Sequence, residues 1–323
     1  MTETRPALSI VIPLLNEEGN LELLHQKLSQ VLAELKQPYE IIFVNDGSTD
    51  ASPRILRELF ERDPAARVIH FQQNYGKTAA LTAGFRHSQG EIIITLDADL
   101  QDDPAEIPGL LNKLAEGYDL VAAWRYDRQD PVDKTVPSRI FNWAVSTFSG
   151  VPLHDFNCGF KVYRRLVTEQ IPLYSDFHRF IPVLAAGQGF RVTELPVRHH
   201  PRYAGVSKYG ARRTVRGLLD FITVLFLTTY LKHPLRLFGV SGLIMFGIGG
   251  LIEFYLAGEW LLRALGLAEV EPIGTRPLFT VGNLAMILGI QLFSTGLLGE
   301  MIRYFTFRPE REYTIKQTLQ REG

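Results

Sequence analysis

Apolar and polar positions follow two alternating periods through the first part of the chain. Leu8 to Leu14 is an almost unbroken apolar run that reads as a buried strand, and Glu17 to Lys36 places its apolar residues at helical spacing. Tyr39 to Asn45 is a second strand, running into Asn-Asp-Gly-Ser-Thr-Asp. A helix near Ala51 to Asp63, a strand at Arg67 to Phe71, a helix at Gly76 to Ser88 and a strand starting at Glu91 continue the succession. Strands separated by helices in this way predict a parallel sheet with crossover helices. Further on, a helix is expected at Pro104 to Gly117, a strand at Asp119 to Trp124, and a polar, mobile loop at Tyr126 to Pro137. Then come a helix at Ser138 to Phe148, a turn and short strand through His154 to Lys161, a helix at Phe177 to Gly189 and a final strand at Arg191 to His199.

The pattern changes character after about residue 210. No acid occurs from Pro196 to Leu219, while Arg198, Arg202, Lys208, Arg212, Arg213 and Arg216 accumulate. Gly217 to Leu231 is apolar except for Asp220 and too short to span comfortably, which suits an interfacial helix against anionic headgroups. Leu235 to Ala257 and Leu278 to Leu298 each approach the roughly 20 residues that a bilayer requires. Lys232 and Arg236 precede the first span and Arg303, Arg308 and Arg311 follow the second, so the positive-inside rule puts both termini in the cytosol. Glu253 and Glu300 lie near span ends, where snorkelling to the interface is expected. The expected organisation is a cytosolic catalytic domain (1–210), an interfacial juxtamembrane helix (211–234), a first transmembrane helix (235–257), an extracytoplasmic loop (258–277), a second transmembrane helix (278–302) and a cytosolic tail (303–323).

Composition adds little. A chain of 323 residues, 46% apolar, accommodates a full-sized domain and a smaller part. The net charge of −1 is uninformative about partners, and no nucleic-acid partner is expected. A single cysteine, Cys158, excludes an internal disulfide and a cysteine-rich zinc site. The short apolar run from Ala7 to Leu15 does not read as a secretion signal.

The chemistry concentrates at Glu91 to Pro104, where an apolar, β-branched run ends in Asp97 and Asp99. If the strand persists through Ala98, both carboxylates point the same way and call for a cation between them. Hard oxygen ligands suit Mg2+ or Mn2+ shared with a diphosphate. A surface turn, with Pro104 opening the next helix, is the alternative. In a parallel sheet the segments Pro13–Glu17, Asp46–Ser48, Asn74–Lys77 and Asp97–Gln101 share the ligand-binding edge. Neither a Gly-x-Gly-x-x-Gly nor a Walker loop follows the first strand. Asn16, Glu17 and Asp46 are instead suited to accept hydrogen bonds from a ribose or base, with helix capping or turn formation as their structural alternatives.

The run Leu8 to Asn16, the turn Val44 to Asp50, Asn74-Tyr75-Gly76-Lys77 and Asp97-Ala98-Asp99-Leu100-Gln101-Asp102 together resemble family 2 glycosyltransferases over roughly residues 7 to 210. The branch resembled is that of dolichol-phosphate mannose synthase and the bacterial polyisoprenyl-phosphate glucosyltransferases. The resemblance implies a Rossmann-like glycosyltransferase type A fold with a mostly parallel sheet, plus juxtamembrane helices and two transmembrane helices. It implies donor-nucleotide contacts at Pro13, Asn16, Glu17, Asp46 and Lys77, and a metal held by Asp97, Asp99 and Gln101. It associates Arg125 and Arg139 with a lipid phosphate acceptor, although Arg139 could be a solvated helix charge, and it makes Arg202, Ser207 and Lys208 part of a loop closing over phosphates. Asp155 corresponds to an aspartate near the acceptor. A phosphomonoester is largely dianionic at neutral pH and needs no base, so Asp155 is expected to position rather than to take a proton. The Gln-x-x-Arg-Trp signature of processive relatives is absent, and Asp176-Phe177-His178-Arg179-Phe180 stands in that region, which favours a single transfer.

The resulting expectation is an integral protein of the cell membrane that moves one hexose from a nucleotide sugar to a polyprenyl phosphate with inversion. Glucose on UDP is the first choice of donor and mannose on GDP the second. A modified sugar, such as an aminoarabinose or N-acetylhexosamine, or another lipid acceptor, is the alternative within chemistry. A membrane-tethered nucleotide-binding scaffold is the alternative outside it. Membrane lipids are expected neighbours, and the resemblance implies a homo-oligomer, a tetramer.

Overall fold

The computed structural model describes residues 5–126, 132–171, 173, 176–200, 223, 224, 226, 234–267, 272 and 276–306. The chain divides into two units, Met1–Leu225 and Phe226–Gly323. The expected interfacial helix at 211–234, the loop around Arg202, Ser207 and Lys208 and the tail after Thr306 lie almost wholly outside the described residues.

The first unit is built on seven strands: β1 Leu8–Leu14, β2 Tyr39–Asn45, β3 Ala66–His70, β4 Ile92–Thr95, β5 Leu120–Arg125, β6 Lys161–Arg164 and β7 Val192–Val197. Their order in the sheet is β3-β2-β1-β4-β6-β5-β7. All neighbours are parallel except β6, which runs against both β4 and β5. Every residue of β1 is buried, as its continuous apolar run requires of a strand covered on both faces. The chain moves outward from β1 to β3 and then returns to β4, so the order reverses between β1 and β4, where open α/β sheets bind their ligands. Pro13 shares its edge of β1 with Val11, whose carbonyl accepts from Leu96 N at 3.2 Å, and β4 has ended by the level of Pro13. Its missing amide therefore breaks no ladder bond.

The helices are α1 Leu21–Glu34, α2 Ser52–Arg62, α3 Lys77–His87, α4 Ile107–Ala115, α5 Val132–Ser149, α6 Arg165–Gln170 and α7 Ile181–Gly187. Leu21, Leu24, Leu28 and Leu32 form the buried stripe of α1, at the spacing that lays one helical face on a sheet. Two expectations need correction. The helix foreseen from Ser138 begins at Val132, so Pro137 lies inside it and the loop foreseen at Tyr126 to Pro137 is shorter. The helix foreseen at Phe177 to Gly189 is a short turn, Phe177–Arg179, followed by α7.

In the second unit, two long helices, Pro234–Ala264 and Pro277–Thr306, form an antiparallel hairpin. Both are long and apolar enough to cross a membrane, and each outruns the span foreseen within it. Glycines let the backbones approach: a Cβ on Gly242 would lie 2.6 Å from the carbonyl oxygen of Gly289, and one on Gly249 2.6 Å from that of Gly282. Glu253 does not only snorkel, because its Oε1 is buried and would meet a Cβ on Gly282 at 2.5 Å. At the connecting end, Glu259 accepts from Tyr255 Oη at 2.7 Å and pairs with Arg276.

Candidate active site

Strand β4 stops at Thr95, so Asp97 and Asp99 are presented by a turn and not by the strand pleat foreseen for them. Leu100 takes a left-handed backbone, φ +59°, which a side chain other than glycine adopts at a cost. That residue is 6% exposed, so burial of its side chain offsets the strain and the turn is held open for the two carboxylates. Asp99 Oδ1 accepts from Gln101 N at 3.2 Å, and the Gln101 carbonyl accepts from His200 N at 2.9 Å, which ties the turn to the chain beyond β7.

Lys77, the first residue of α3, donates its ammonium to both oxygens of Asp97, at 2.5 and 2.8 Å. Burial would raise the Asp97 carboxyl, but the charge of Lys77, with Arg125 and Lys161 beyond it, holds it below the ordinary carboxylate range. Gly159 makes the seat: a Cβ there would stand 2.5 Å from Asp97 Oδ1. Its carbonyl accepts from Thr95 Oγ1 at 2.7 Å, so the glycine is pinned against the end of β4.

Arg125, at the end of β5, forms a forked pair with Asp155, Nε to Oδ2 at 2.7 Å and the second nitrogen to Oδ1 at 3.2 Å. The two side chains are only 14% and 3% exposed. Burial alone would lower the guanidinium, and the facing Asp155 raises it above its usual value. Asp155 also accepts from Asn157 N at 3.0 Å, so its oxygens are committed to holding Arg125 and its own turn. His154 pairs with Glu194 and stacks on Trp124, ring centroids 4.2 Å apart, which is a structural arrangement.

Because β6 runs antiparallel, its first residue, Lys161, sits beside Thr95 and Ala122 at the same edge. Lys161 is buried and donates to the carbonyls of Cys158 and Phe156. Burial, together with the charge of Lys77, pushes its ammonium down to about 8. Asp102 is buried behind the turn, with Cys158 Sγ 3.9 Å from its Oδ1, and burial pushes its carboxyl up to about 7. Among the predicted groups, Asp46 turns both oxygens to the next loop, accepting from Tyr75 N at 2.7 Å and Gly76 N at 2.9 Å. It thereby fixes the segment that delivers Lys77. Asn16, φ +53°, accepts from Thr49 N at 2.8 Å and donates its own N–H to Ser48 Oγ at 2.8 Å. Glu17 accepts from Asn20 Nδ2 at 2.7 Å, and its amide donates to Ser52 Oγ at 3.1 Å. The first two loops are thus stitched to each other.

The structure brings Lys77, Asp97, Asp99, Gln101, Arg125 and Asp155 to one edge, with Pro13 near the end of β1 and Asn16, Glu17 and Asp46 on the adjoining loops. Arg139 is exposed on α5, and Arg202, Ser207 and Lys208 lie outside the described residues. Lys161, Gly159 and Asp102 were not singled out from sequence. Only Gly159, a glycine in the turn before a short strand, left a signal there. Among the described residues no three His, Cys, Asp or Glu side chains cluster as a metal site. The hard oxygens of Asp97, Asp99 and Gln101 still suit Mg2+ or Mn2+. The Lys77 ammonium against both Asp97 oxygens shows that this carboxylate accepts a cation.

Comparison with known proteins follows the same lines. The family model described as Glycosyl transferase family 2 matches residues 9–181. The dodecaprenyl-phosphate galacturonate synthase of Rhizobium johnstonii is 37% identical over 317 residues, covering 96% of this chain and 92% of that protein. The undecaprenyl-phosphate 4-deoxy-4-formamido-L-arabinose transferase of Pseudomonas aeruginosa is 40% identical over 314 residues, 96% of this chain and 90% of that protein. Among solved structures, glucosyl-3-phosphoglycerate synthase from Mycobacterium tuberculosis, in complex with Mn2+, uridine diphosphate and phosphoglyceric acid, matches with a TM-score of 0.53 and 22% identity, over 67% of this chain and 78% of that one. That likeness supports the fold, and with the seven-stranded mixed sheet it agrees with the expected glycosyltransferase type A architecture.

Proposed function

Since the chain belongs to glycosyl transferase family 2, we propose that it moves one modified sugar, of the uronate or 4-amino-4-deoxypentose class, from a nucleotide diphosphate to a membrane-borne polyprenyl phosphate. The ranking of glucose first and mannose second gives way here. The near-full-length relatives are named for galacturonate and formamido-arabinose, which favours the modified-sugar alternative. The observation that carries the reading is the Asp97–Asp99 turn at the sheet's switch point, faced by Lys77, Arg125 and Lys161. Cations so placed match the charge of a diphosphate donor and of a phosphate acceptor.

In the proposed reaction an acceptor phosphate oxygen forms a bond to the anomeric carbon while the bond from that carbon to the donor diphosphate breaks. The electron pair leaves on the nucleoside diphosphate and configuration inverts. No proton has to be removed, since the acceptor is already dianionic, and this fits the commitment of Asp155 to Arg125. Arg125, held by Asp155 through Nε and one terminal nitrogen, keeps its remaining N–H groups in a fixed orientation for phosphate oxygens. Asp97, Asp99 and Gln101 would hold a divalent cation, which supplies charge neutralisation of the diphosphate when bound. Lys77, whose ammonium lies against both oxygens of Asp97, is placed to offer positive charge to the same diphosphate. The two long helices support a catalytic unit tethered to the bilayer that carries the acceptor.

The test is a panel of radiolabelled nucleotide sugars, UDP-galacturonate, UDP-4-formamido-arabinose, UDP-glucose and GDP-mannose, given to the full chain in vesicles with undecaprenyl phosphate. A metal-dependent lipid product is expected with one of the first two and is lost in Asp99→Asn. Product from UDP-glucose or GDP-mannose alone, unchanged turnover in Asp99→Asn, or no product with any donor would sink the proposal.

A further inference from the structure

His178 holds a helix start that lies 100 residues before it in the chain. Its Nδ1 and the Oγ1 of Thr78 share a hydrogen bond of 2.9 Å. The histidine is 7% exposed and the threonine 4%, so water does not compete for the bond and leaving either group without it would be costly. Thr78 is the second residue of α3 and directly follows Lys77. The turn that carries the histidine, Phe177–Arg179, is itself firmly seated. Phe177 and Phe180 are buried and meet edge to face, ring centroids 6.4 Å apart, and Phe180 packs on Phe141 of α5 at 5.7 Å.

Lysine ends in a compact ammonium on a flexible stem, so the contact of Lys77 with both oxygens of Asp97 persists only if the base of that stem is fixed. On the upstream side Asp46 fixes it, accepting from Tyr75 N and Gly76 N. On the downstream side the bond from His178 acts on the very next residue. The two anchors flank the lysine and come from different parts of the fold, β2 and the turn before α7. We propose that His178 is a positioning residue: through Thr78 it fixes the first turn of α3 and so sets the Lys77 ammonium against Asp97 and the donor diphosphate. The last step, toward the diphosphate, rests on the proposed function; the clamp on α3 does not.

The test uses the full chain in vesicles. Amide hydrogen exchange is followed by mass spectrometry in peptides spanning Lys77 to Thr82, where Ala80 N donates to Gly76 O at 3.2 Å and closes the first turn. His178→Leu is expected to speed this exchange about tenfold, and Thr78→Val, which removes the bond from the other end, does the same. His178→Asn puts an amide where Nδ1 stood, able to donate or accept, and stays within about twofold of wild type. In transfer from UDP-galacturonate or UDP-4-formamido-arabinose to undecaprenyl phosphate, His178→Leu loses about tenfold in kcat with KM for the lipid within about twofold of wild type, and His178→Asn restores most of the rate. In a Lys77→Met background His178→Leu costs no more than about twofold further, because the lysine it serves is gone. Ser88→Ala, at the far end of α3, removes a buried bond to Gly84 O and is expected to lower the melting temperature with kcat unchanged. Exchange unchanged in both His178→Leu and Thr78→Val would overturn the clamp. Losses that multiply in full with Lys77→Met would overturn the route through the lysine. An equal loss of kcat in Ser88→Ala would overturn it too, since destabilisation of α3 would then suffice. Exchange that responds as expected in a protein that transfers neither sugar upholds the clamp and refutes the proposed function.

Discussion

Replacing Gly159 by alanine tests the seat of Asp97 more directly than any change to the aspartate itself. The new Cβ would stand 2.5 Å from Oδ1 and 2.6 Å from Cγ and Oδ2, where ordinary contact begins at 3.4 Å. One side has to yield by about 0.9 Å. The glycine cannot readily do so, because its carbonyl accepts from Thr95 Oγ1 at 2.7 Å and that of the adjacent Phe160 accepts from Ala123 N at 3.0 Å. Asp97 therefore moves and takes its bond to Lys77 with it. Overpacking of this kind costs about 1–3 kcal/mol of stability, and a displacement near 1 Å in a reacting constellation costs about 100-fold in rate. The assay is initial-rate transfer by the full chain in vesicles, with a thermal melt on the same preparation. Gly109→Ala in α4 is the control, since a Cβ there meets only Leu195 Cδ2 at 3.4 Å. The control is expected to gain up to about 1 kcal/mol with its rate unchanged. If Gly159→Ala retains kcat/KM within about twofold of wild type, the seat is not what aligns Asp97 and the reasoning fails.

Asp155→Ala strands the Arg125 guanidinium in a buried position and is expected to cost about 3–5 kcal/mol by chemical denaturation, with Arg125→Met/Asp155→Leu recovering part of the loss; equal stabilities for the single and double variants would count against the buried pair. Asp102 keeps its proton to about pH 7 when folded and loses it near 4 when unfolded, so the folded chain binds more protons in between and stability falls as pH rises through that window, by up to about 4 kcal/mol. Melts at pH 5 and pH 7.5 should show the part of this fall that lies between them, about 3 kcal/mol, in wild type and not in Asp102→Asn. Chelation of divalent cations should abolish transfer and Mg2+ or Mn2+ restore it, read as lipid-linked product; undiminished transfer in excess chelator would exclude the assigned role of Asp97, Asp99 and Gln101. Gly289→Leu should force the two long helices apart, since a Cβ at that position already lies 2.6 Å from Phe246 N, and loss of a cross-link engineered between them reports it.

Periodicity and motif spacing by themselves determined the strand–helix succession, the ligand edge and the two apolar helices, because each depends on local runs that one stretch of sequence contains. The acids at 97 and 99 were legible as candidates for that reason, whereas the lysine opening α3 and the arginine ending β5 entered only through the resemblance to a family. What only tertiary structure decided depends on long-range pairing. The insertion of β6 against the direction of its neighbours brings Lys161 and Gly159 under Asp97, and no local pattern specifies the strand on which a short segment will pair. The forked bond from Arg125 to Asp155 joins residues whose separation in sequence hides it. The exit of the chain from β4 at Thr95, through a left-handed Leu100, replaced the pleat as the device that presents Asp97 and Asp99. A strand's register says which way side chains point only while the strand lasts, and β4 ends at Thr95, opposite Lys161 where its partner β6 begins.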